Sequence, residues 1–431
     1  MKRPSFMLIA GEPSGDLLGA ELLHALRARF ARMPDPPSPH AQPLTTDLPP
    51  AFFGAGGPRM AAAGLELMLD LTQHSVIGLS DTLKKYFLFK RIFHRLVALA
   101  RDREPEVIIC VDFSGFNRRF AHAVKELVRR RHAWFRNWAP RIVQYVSPQV
   151  WASRPGRARQ LAADVDLLLS IIPFEQTWYA EHSPQLRVEF VGHPVVDRFR
   201  GSGIGGQGTE NEAGRKPEFP GPSSDRSGPR DGDSAPLVLL LPGSRPDELR
   251  RHLGVVIDAA RKIRATRAVR FRLVTPHKDL MGSALLRGAG LFEDSDLHSY
   301  DLAGSLAEAD VAITKSGTIT LECACFGVPA VVFYKTSWPT YCVGRLAVKT
   351  RYLAMPNLLA GEPLYPEFIQ HSATADNLAR AALALLDDPA RRAAIKAKLA
   401  AVVRSLGPPG ASGRAAQAIW STLVSRPPER V

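Results

Sequence analysis

No stretch of this chain stays apolar for the roughly 18 residues that a membrane-spanning helix needs. The apolar run between Met1-Lys-Arg-Pro4 and Gly11 is too short for the core of a signal peptide. The expectation is a cytoplasmic chain. Cysteine is scarce: Cys110, Cys323, Cys325 and Cys342 lie in apolar or helical surroundings without C-x-x-C spacing, which excludes a disulfide framework or zinc site and implies no metal. Carboxylates are also in deficit, 42 Asp and Glu against 56 Lys and Arg, and the net charge of +14 makes a field that attracts polyanions, anionic lipids or phosphorylated substrates. Nucleic acid is not the expected partner. The basic residues are mostly arginines scattered on helical stretches, such as Arg101, Arg103 and Arg129 to Arg131, and no RNP, zinc-finger or helix-turn-helix pattern accompanies them.

What is present suffices for two α/β cores, since 431 residues with 45% hydrophobic content can bury both. The pivotal stretch is Gly11-Glu-Pro-Ser-Gly-Asp16, which follows the apolar run Phe6-Met-Leu-Ile9 and precedes a helical pattern ending near Arg29. Strand, glycine turn and helix in that order can present backbone N–H groups to an anion, the glycines permitting positive φ or close backbone approach. The same order also serves a plain βα packing turn. Ala51-Phe-Phe-Gly-Ala-Gly-Gly-Pro-Arg-Met60 repeats it, and two such turns should open at the carboxyl edge of one parallel sheet, where doubly wound folds bind ligands. A proline-rich insert at about 33–50 separates them.

Residues 76–98 interleave Lys84, Lys85, Lys90, Arg91 and Arg95 with Tyr86, Phe87, Phe89, Ile92 and Phe93. A basic amphipathic helix of this kind can lie in a membrane interface; the alternative is a core-packing helix with a solvated basic face. Next, Pro105-Glu-Val-Ile-Ile-Cys-Val-Asp112 reads as a buried strand delivering Asp112 to the sheet edge, with Asn117 in the loop beyond. There the carboxylate can act as a general base or cap the next helix. Arg141 to Tyr145 is another strand, running into an aromatic loop with Ser147 and Trp151, and His193 follows the strand Val188 to Val191, in a loop at a domain junction.

From Gly201 to Pro236 the chain is Gly, Ser, Pro and charge, too poor in large apolar residues to order itself, and it divides a first domain of 1–200 from a second of 237–400. A helical segment, 401–431, ends the chain. The second domain opens with the strand Val238 to Leu241 and the turn Pro242-Gly-Ser-Arg245, whose Gly243 and Ser244 amides and Arg245 guanidinium suit a diphosphate. A second such turn, Lys315-Ser316-Gly317-Thr318, leads into a helix carrying Glu322, whose carboxylate can accept from two ribose hydroxyls. Thr318 and Glu322 can equally be a helix cap and a first-turn acid. Asn357 lies in a loop, Pro356-Asn-Leu-Leu-Ala-Gly361, returning toward the same edge.

Taken together, Gly11-Glu-Pro-Ser-Gly-Asp16, Gly56-Gly-Pro-Arg-Met60, Val111-Asp-Phe-Ser-Gly-Phe-Asn117, Tyr145-Val-Ser-Pro-Gln-Val-Trp-Ala152, Leu241-Pro-Gly-Ser-Arg245, Ser316-Gly-Thr-Ile-Thr-Leu-Glu322 and Pro356-Asn-Leu-Leu-Ala-Gly361 resemble the lipid-A-disaccharide synthase family in order and spacing. The resemblance implies an α/β chain of two Rossmann-like doubly wound domains facing across a cleft, the GT-B arrangement. It implies a reaction that joins UDP-2,3-diacylglucosamine to 2,3-diacylglucosamine 1-phosphate (lipid X) through a β(1→6) bond, with inversion and release of UDP and without a cofactor. Asp112 matches the family's proposed base. Arg245 and the turns at Gly243, Ser244, Ser316, Gly317 and Thr318 would hold the departing diphosphate, and Glu322 the ribose. Ser14, Gly15 and Asp16 would line the acceptor and transferred-sugar side, and Asn117, Ser147, Trp151, His193 and Asn357 would also contact substrate.

Two positions depart from the family pattern: Gly115 stands where members often carry a second acid, and Ser153 where they often carry a second Trp. The acylated substrates favour membrane contact through Lys84, Lys85, Phe87, Phe89, Lys90, Arg91 and Phe93, placing the enzyme peripherally on the inner face of the cytoplasmic membrane. On that reading, changing Phe87, Phe89 and Phe93 together to Ser leaves a folded, soluble protein. The sequence leaves the oligomeric state open, a homodimer among the arrangements it allows. Two rival readings are another GT-B enzyme on UDP-hexosamines, such as a 2-epimerase, and a non-enzymatic basic binder of membrane or nucleic acid.

Overall fold

The computed structural model describes residues 4–31, 49–75, 82–131, 138–199, 235–275, 290–292, 301–348 and 350–424. Nearly all of the inserts expected at 33–50 and 201–236, and the start of the 76–98 stretch, lie outside the described residues. The chain divides into two compact units, Met1–Pro194 with Gly407–Val431, and Val195–Leu406.

The first unit is built on a seven-stranded sheet of β1 (Ser5–Ala10), β2 (Ala51–Gly56), β3 (Glu66–Asp70), β4 (Val107–Val111), β5 (Arg141–Tyr145), β6 (Leu167–Ser170) and β7 (Val188–Phe190), in the order β3-β2-β1-β4-β5-β6-β7. Every pairing is parallel. Covered on both faces, its central strands are unbroken apolar runs: β4 and the last five residues of β1 are fully buried. The second unit has β8 (Leu237–Leu241), β9 (Arg270–Leu273), β10 (Val311–Lys315), β11 (Ala330–Tyr334) and β12 (Glu367–Ile369), also all parallel, in the order β12-β11-β10-β8-β9. The order reverses between β1 and β4 in one sheet and between β8 and β10 in the other. These are the points at which doubly wound sheets open a crevice beyond their strand ends.

Two parts of the sequence reading need correction. The final helix, Ala411–Val424, is not a segment by itself: it packs on helix Pro13–Ala31 of the first unit, with Phe30 and Trp420 edge to face at 5.0 Å, and Arg414 Nε donates to the Val191 carbonyl at 2.9 Å. Its apolar face finds a partner some 400 residues away in sequence, which no local pattern announces. Second, the stretch at Gly11 is mostly helix. Helix Pro13–Ala31 begins with proline, leaving only Gly11 and Glu12 as turn, and Gly11, Gly15 and Gly19 are absent from the positive-φ positions. Gly11 is needed for close approach instead, because a Cβ there would lie 2.2 Å from the Phe113 ring.

Asp16 is 2% exposed, and its carboxylate accepts from the backbone N–H groups of Gly57 (2.8 Å), Arg59 (3.0 Å) and Met60 (3.0 Å). It therefore caps helix Pro58–Ala62 across the first two βα turns.

Helix Thr82–Arg103 also differs from its expected role. Phe89 lies 6.2 Å from Phe113 and 6.4 Å from Phe116, ring centre to ring centre, and Phe93 packs on Phe116 and Phe120. Both serve the core around helix Ser114–Arg131. Phe87 is 63% exposed, and Lys90 and Arg91 face solvent; the side chains of Lys84 and Lys85 lie outside the described residues. The triple change to Ser therefore attacks packing, because the interior face of the helix takes two of the three rings.

Asp16→Ala removes the acceptor for three amides and should destabilise the first unit by about 1–3 kcal/mol, read as a lower denaturant midpoint at unchanged slope. An unshifted midpoint would show that the cap is dispensable.

Candidate active site

At the order reversal of the first sheet, β4 is followed by Asp112 and Phe113, with φ of 47° and 44°. Two successive non-glycine residues in the left-handed region cost about 1 kcal/mol or more each, so the surroundings must impose them. The Asp112 N–H donates to the Tyr145 carbonyl at 2.8 Å, and the Asp112 carbonyl accepts from Asn117 Nδ2 at 2.9 Å and Gln144 Nε2 at 3.3 Å. Asn117 Nδ2 also reaches carbonyls near the ends of β1 and β4, Ile9 at 3.3 Å and Val111 at 3.2 Å. Phe113 stacks on Phe116 at 5.3 Å and covers Gly11.

The half-buried Asp112 is thus turned out of the strand by a braced backbone, in a conformation unlike the extended one of a helix N-cap. Asn117, fully buried, braces this turn through its amide Nδ2. Gly115 is exposed with nothing within 4 Å of an added Cβ, so a side chain there would meet no clash at its Cβ. Ser14, exposed, and Gly15, whose Cβ would be 3.7 Å from the Val111 carbonyl, form the first turn of helix Pro13–Ala31 at the same edge. His193 is buried beside Gly192, which has φ 83°.

The aromatic loop is anchored inward. Val146 has φ 70°, an outlier for a β-branched residue. Beyond it, Trp151 Nε1 donates to Glu175 Oε1 at 2.9 Å, Ser170 Oγ donates to Glu175 Oε2, and Ser147 Oγ meets Tyr179 OH at 3.1 Å. Glu175 is fully buried, and burial pushes its carboxyl up to about 7 against the opposing hydrogen bonds from Ser170, Trp151 and Ser147. Ser147, 5% exposed, and the indole N–H of Trp151 belong to this network, which anchors the aromatic loop. Glu175 reads in the sequence as a helix-opening acid, and neither it nor Gln144 stands out before the strand ends come together.

At the order reversal of the second sheet, β8 and β10 each end in a glycine turn. Gly243 and Gly317 have φ of 129° and 143°, which side chains other than glycine's rarely allow. Arg245 is the N-cap residue of helix Pro246–Thr266, with its side chain exposed. Lys315, the last residue of β10, places Nζ 3.1 and 3.0 Å from the two carboxylate oxygens of the buried Glu248, and Arg245 Nη1 is 3.7 Å from Glu248 Oε1. A Cβ on Gly243 would lie 2.9 Å from Glu248 Oε2, and one on Gly317 3.5 Å from Lys315 Nζ.

One carboxylate thus holds Lys315, with the exposed Arg245 close by, beside two turns whose backbones suit an oxyanion. Sequence reading found Arg245, Gly243, Ser244, Ser316, Gly317 and Thr318 here but missed Lys315 as a cation and Glu248 as its holder. Ser316 Oγ donates to the Leu353 carbonyl at 3.1 Å, and Thr318, exposed, opens helix Ile319–Cys325 without a side-chain cap bond. Glu322 lies in the first turn of that helix, its carboxyl raised by burial, with Arg198 opposing.

His252, buried, ties β8 to β11. Its Nδ1 faces the Pro242 carbonyl at 2.7 Å, and Nε2 lies between the carbonyl and the N–H of Lys335, at 3.0 and 3.2 Å. Asn357 is fully buried. It donates to the Tyr365 carbonyl and to Glu367 Oε1, both at 2.7 Å, and accepts from the Tyr365 N–H at 2.8 Å. Its amide holds helix Met355–Ala360 to the approach of β12.

The two parallel sheets, each with its polar groups gathered beyond the strand ends at the order reversal, have the architecture of a GT-B glycosyltransferase. Solved structures share it: the calicheamicin glycosyltransferase CalG4, at TM-score 0.54 and 15% identity over 99% of this chain and 100% of that one, and a UDP-N-acetylglucosamine 2-epimerase, at 0.50 and 14% over 100% and 99%. At such identities the likeness concerns the fold alone. The family is given by sequence: the model described as lipid-A-disaccharide synthetase matches residues 6–207 and 230–419. The lipid-A-disaccharide synthase of Alkalilimnicola ehrlichii is 35% identical over 415 residues (96% of this chain, 97% of that one), and that of Myxococcus xanthus 34% over 432 residues (99% of each). The chain belongs to the lipid-A-disaccharide synthetase family.

Glu175 binds its proton more tightly in the folded chain, where it titrates at about 7, than in the unfolded one, where it returns to 4.5. The stability this confers is complete below the lower value and is lost as pH rises through the upper one. Glu175→Gln, neutral throughout, should hold its stability from about pH 5 to 8, while the parent loses up to about 3 kcal/mol relative to it. Parallel pH profiles of the two unfolding midpoints would contradict a buried, titrating Glu175.

Proposed function

We propose that the protein is an inverting glycosyltransferase that transfers 2,3-diacylglucosamine from UDP to the 6-hydroxyl of 2,3-diacylglucosamine 1-phosphate, forming the β(1→6) lipid A disaccharide 1-phosphate and UDP. The observation that carries the reading is the pair of glycine turns at the β8/β10 reversal, with Arg245 and Lys315 held beside them by Glu248. Such a cradle fits a diphosphate, and family membership supplies the sugar and the acceptor.

In this mechanism Asp112 takes the proton of the acceptor hydroxyl as its oxygen attacks C1 of the donor sugar from the face opposite UDP. The C1–O bond to the β-phosphate breaks, and its electron pair leaves on the diphosphate. Arg245, Lys315 and the backbone N–H groups of the two turns stabilise the charge that develops there. Glu322 holds the ribose. Ser14 and Gly15 border the reacting sugar at a helix N-terminus that favours negative charge.

Among the described residues no helix is long and apolar enough to cross a membrane. We infer peripheral attachment to an anionic bilayer at the inner face of the cytoplasmic membrane, by way of Phe87 with Lys90 and Arg91. The packed rings of Phe89 and Phe93 take no part in it.

Asp112→Ala, assayed with UDP-2,3-diacylglucosamine and 2,3-diacylglucosamine 1-phosphate, should lose roughly 10²–10⁴ in kcat with UDP affinity unchanged. Turnover at the parent's rate would remove Asp112 from the mechanism. Lys315→Met should weaken UDP binding about tenfold, measured by calorimetric titration; unaltered affinity would put the diphosphate elsewhere.

A further inference from the structure

Helix Trp338–Ala347, in the second unit, buries little of its apolar surface. Leu346 is 87% exposed, Val343 63% and Trp338 56%, and Val348 and Leu353 beyond the helix are exposed as well. Trp338, Cys342 and Leu346 recur every four residues on one side, with Val343 next to them, whereas Tyr341 and Gly344 turn toward the domain. A helix that leaves Leu, Val and Trp in water along one side carries a patch of the kind that marks an interaction site.

The surrounding charge selects the occupant. From Glu322 to Glu362 the sequence contains no other carboxylate, while Lys335, Arg345, Lys349 and Arg351 fall within it. Arg345 and Arg351 are exposed beside the apolar side chains. The nearby Glu367 is turned inward, accepting from the N–H groups of Leu353 and Ala354 at 2.9 Å each and from Asn357. At one end the rings of Trp338, Tyr341 and His371 cluster, with centres 5.0–5.7 Å apart, forming an amphiphilic group of the type that settles at a lipid headgroup boundary. A second copy of this chain is a poor partner. A two-fold contact sets each patch against its own copy, so it would bring the arginines of one copy toward those of the other.

We propose that helix Trp338–Ala347 with Val348 and Leu353 is a second lipid-facing surface, which lies on an anionic bilayer with its apolar side among the acyl chains and Arg345 and Arg351 on the headgroups. It is separate from the surface at Phe87 and belongs to the other unit. The proposal uses the exposure and charge of this helix, and it stands whether or not the transfer reaction above is the right one.

The test is co-sedimentation of the full chain with phosphatidylglycerol-containing vesicles and with pure phosphatidylcholine vesicles, at low and high salt. Val343→Asp with Leu346→Asp should lower partitioning onto the anionic vesicles about tenfold or more, without moving the thermal midpoint, because both side chains are already in water in the folded chain. Arg345→Ala with Arg351→Ala should lower it less and flatten its salt dependence. Phe87→Ser, made alone and combined with the Asp pair, reads the two surfaces independently. Unchanged partitioning of the Asp pair would overturn the proposal. So would a parent dimer, seen by sedimentation, that the Asp pair converts to monomer, because the patch would then be a protein interface. Sugar transfer, assayed separately in detergent, reports on the reaction without reference to this surface.

Discussion

A parallel sheet brings all its last carbonyls to one edge, where no further strand or helix bond satisfies them. In the first unit the side-chain amides of Asn117 and Gln144 take up that task. Between them they reach the carbonyls of Ile9, Val111, Asp112, Tyr145 and Val146, spanning the ends of three neighbouring strands. Because both amides converge on the Asp112 carbonyl, the left-handed conformation of Asp112 and Phe113 is over-determined, and the proposed base is held clear of its strand. Phe113 then occupies the space that only a glycine at position 11 leaves open, so the opening turn and the base-bearing turn are shaped by one another.

The second unit solves the corresponding problem with charge. Glu248, in the first turn of its helix, neutralises one positive charge while aligning Lys315 and Arg245, leaving the cluster net positive where a diphosphate is proposed to bind. A buried ion pair of this kind contributes little to stability, because desolvation offsets its attraction; its value lies in fixing the two cations. His252 and Asn357 do the supporting work behind it, tying β8 to β11 and helix Met355–Ala360 to β12. Several residues expected to contact substrate are also supports of this sort, buried polar side chains that hydrogen-bond neighbouring strands and helices.

The basic character of the chain is divided in the same way. Part of it is structural, as in Arg414 on the Val191 carbonyl or Arg103 on Glu66. Part of it flanks exposed apolar residues, at Phe87 in one unit and at Val343 and Leu346 in the other, where cation and hydrocarbon together suit a lipid surface better than a nucleic acid. The half-buried rings of Phe89 and Phe93 show how a basic aromatic stretch can serve packing as well as surface.

The sequence by itself determined the fold class, the strands of both sheet centres and the residues at their ends, because buried parallel strands are continuous apolar runs and the turns beyond them need glycine. Asp112, Arg245, Gly243 and Gly317 were legible for that reason. Edge strands β3 and β12, short and half-polar, were not. Tertiary structure alone decided which polar residues at those edges face outward and which are consumed inside. Asp16, Asn117, Ser147 and Asn357 have side chains suited to either use, and only the carbonyls and amides that folding brings to them from distant segments settle it. The same holds for Glu175 and Lys315, whose chemistry comes from a burial and a partner that no neighbouring residue supplies, and for the final helix, whose place depends on a face offered by the first.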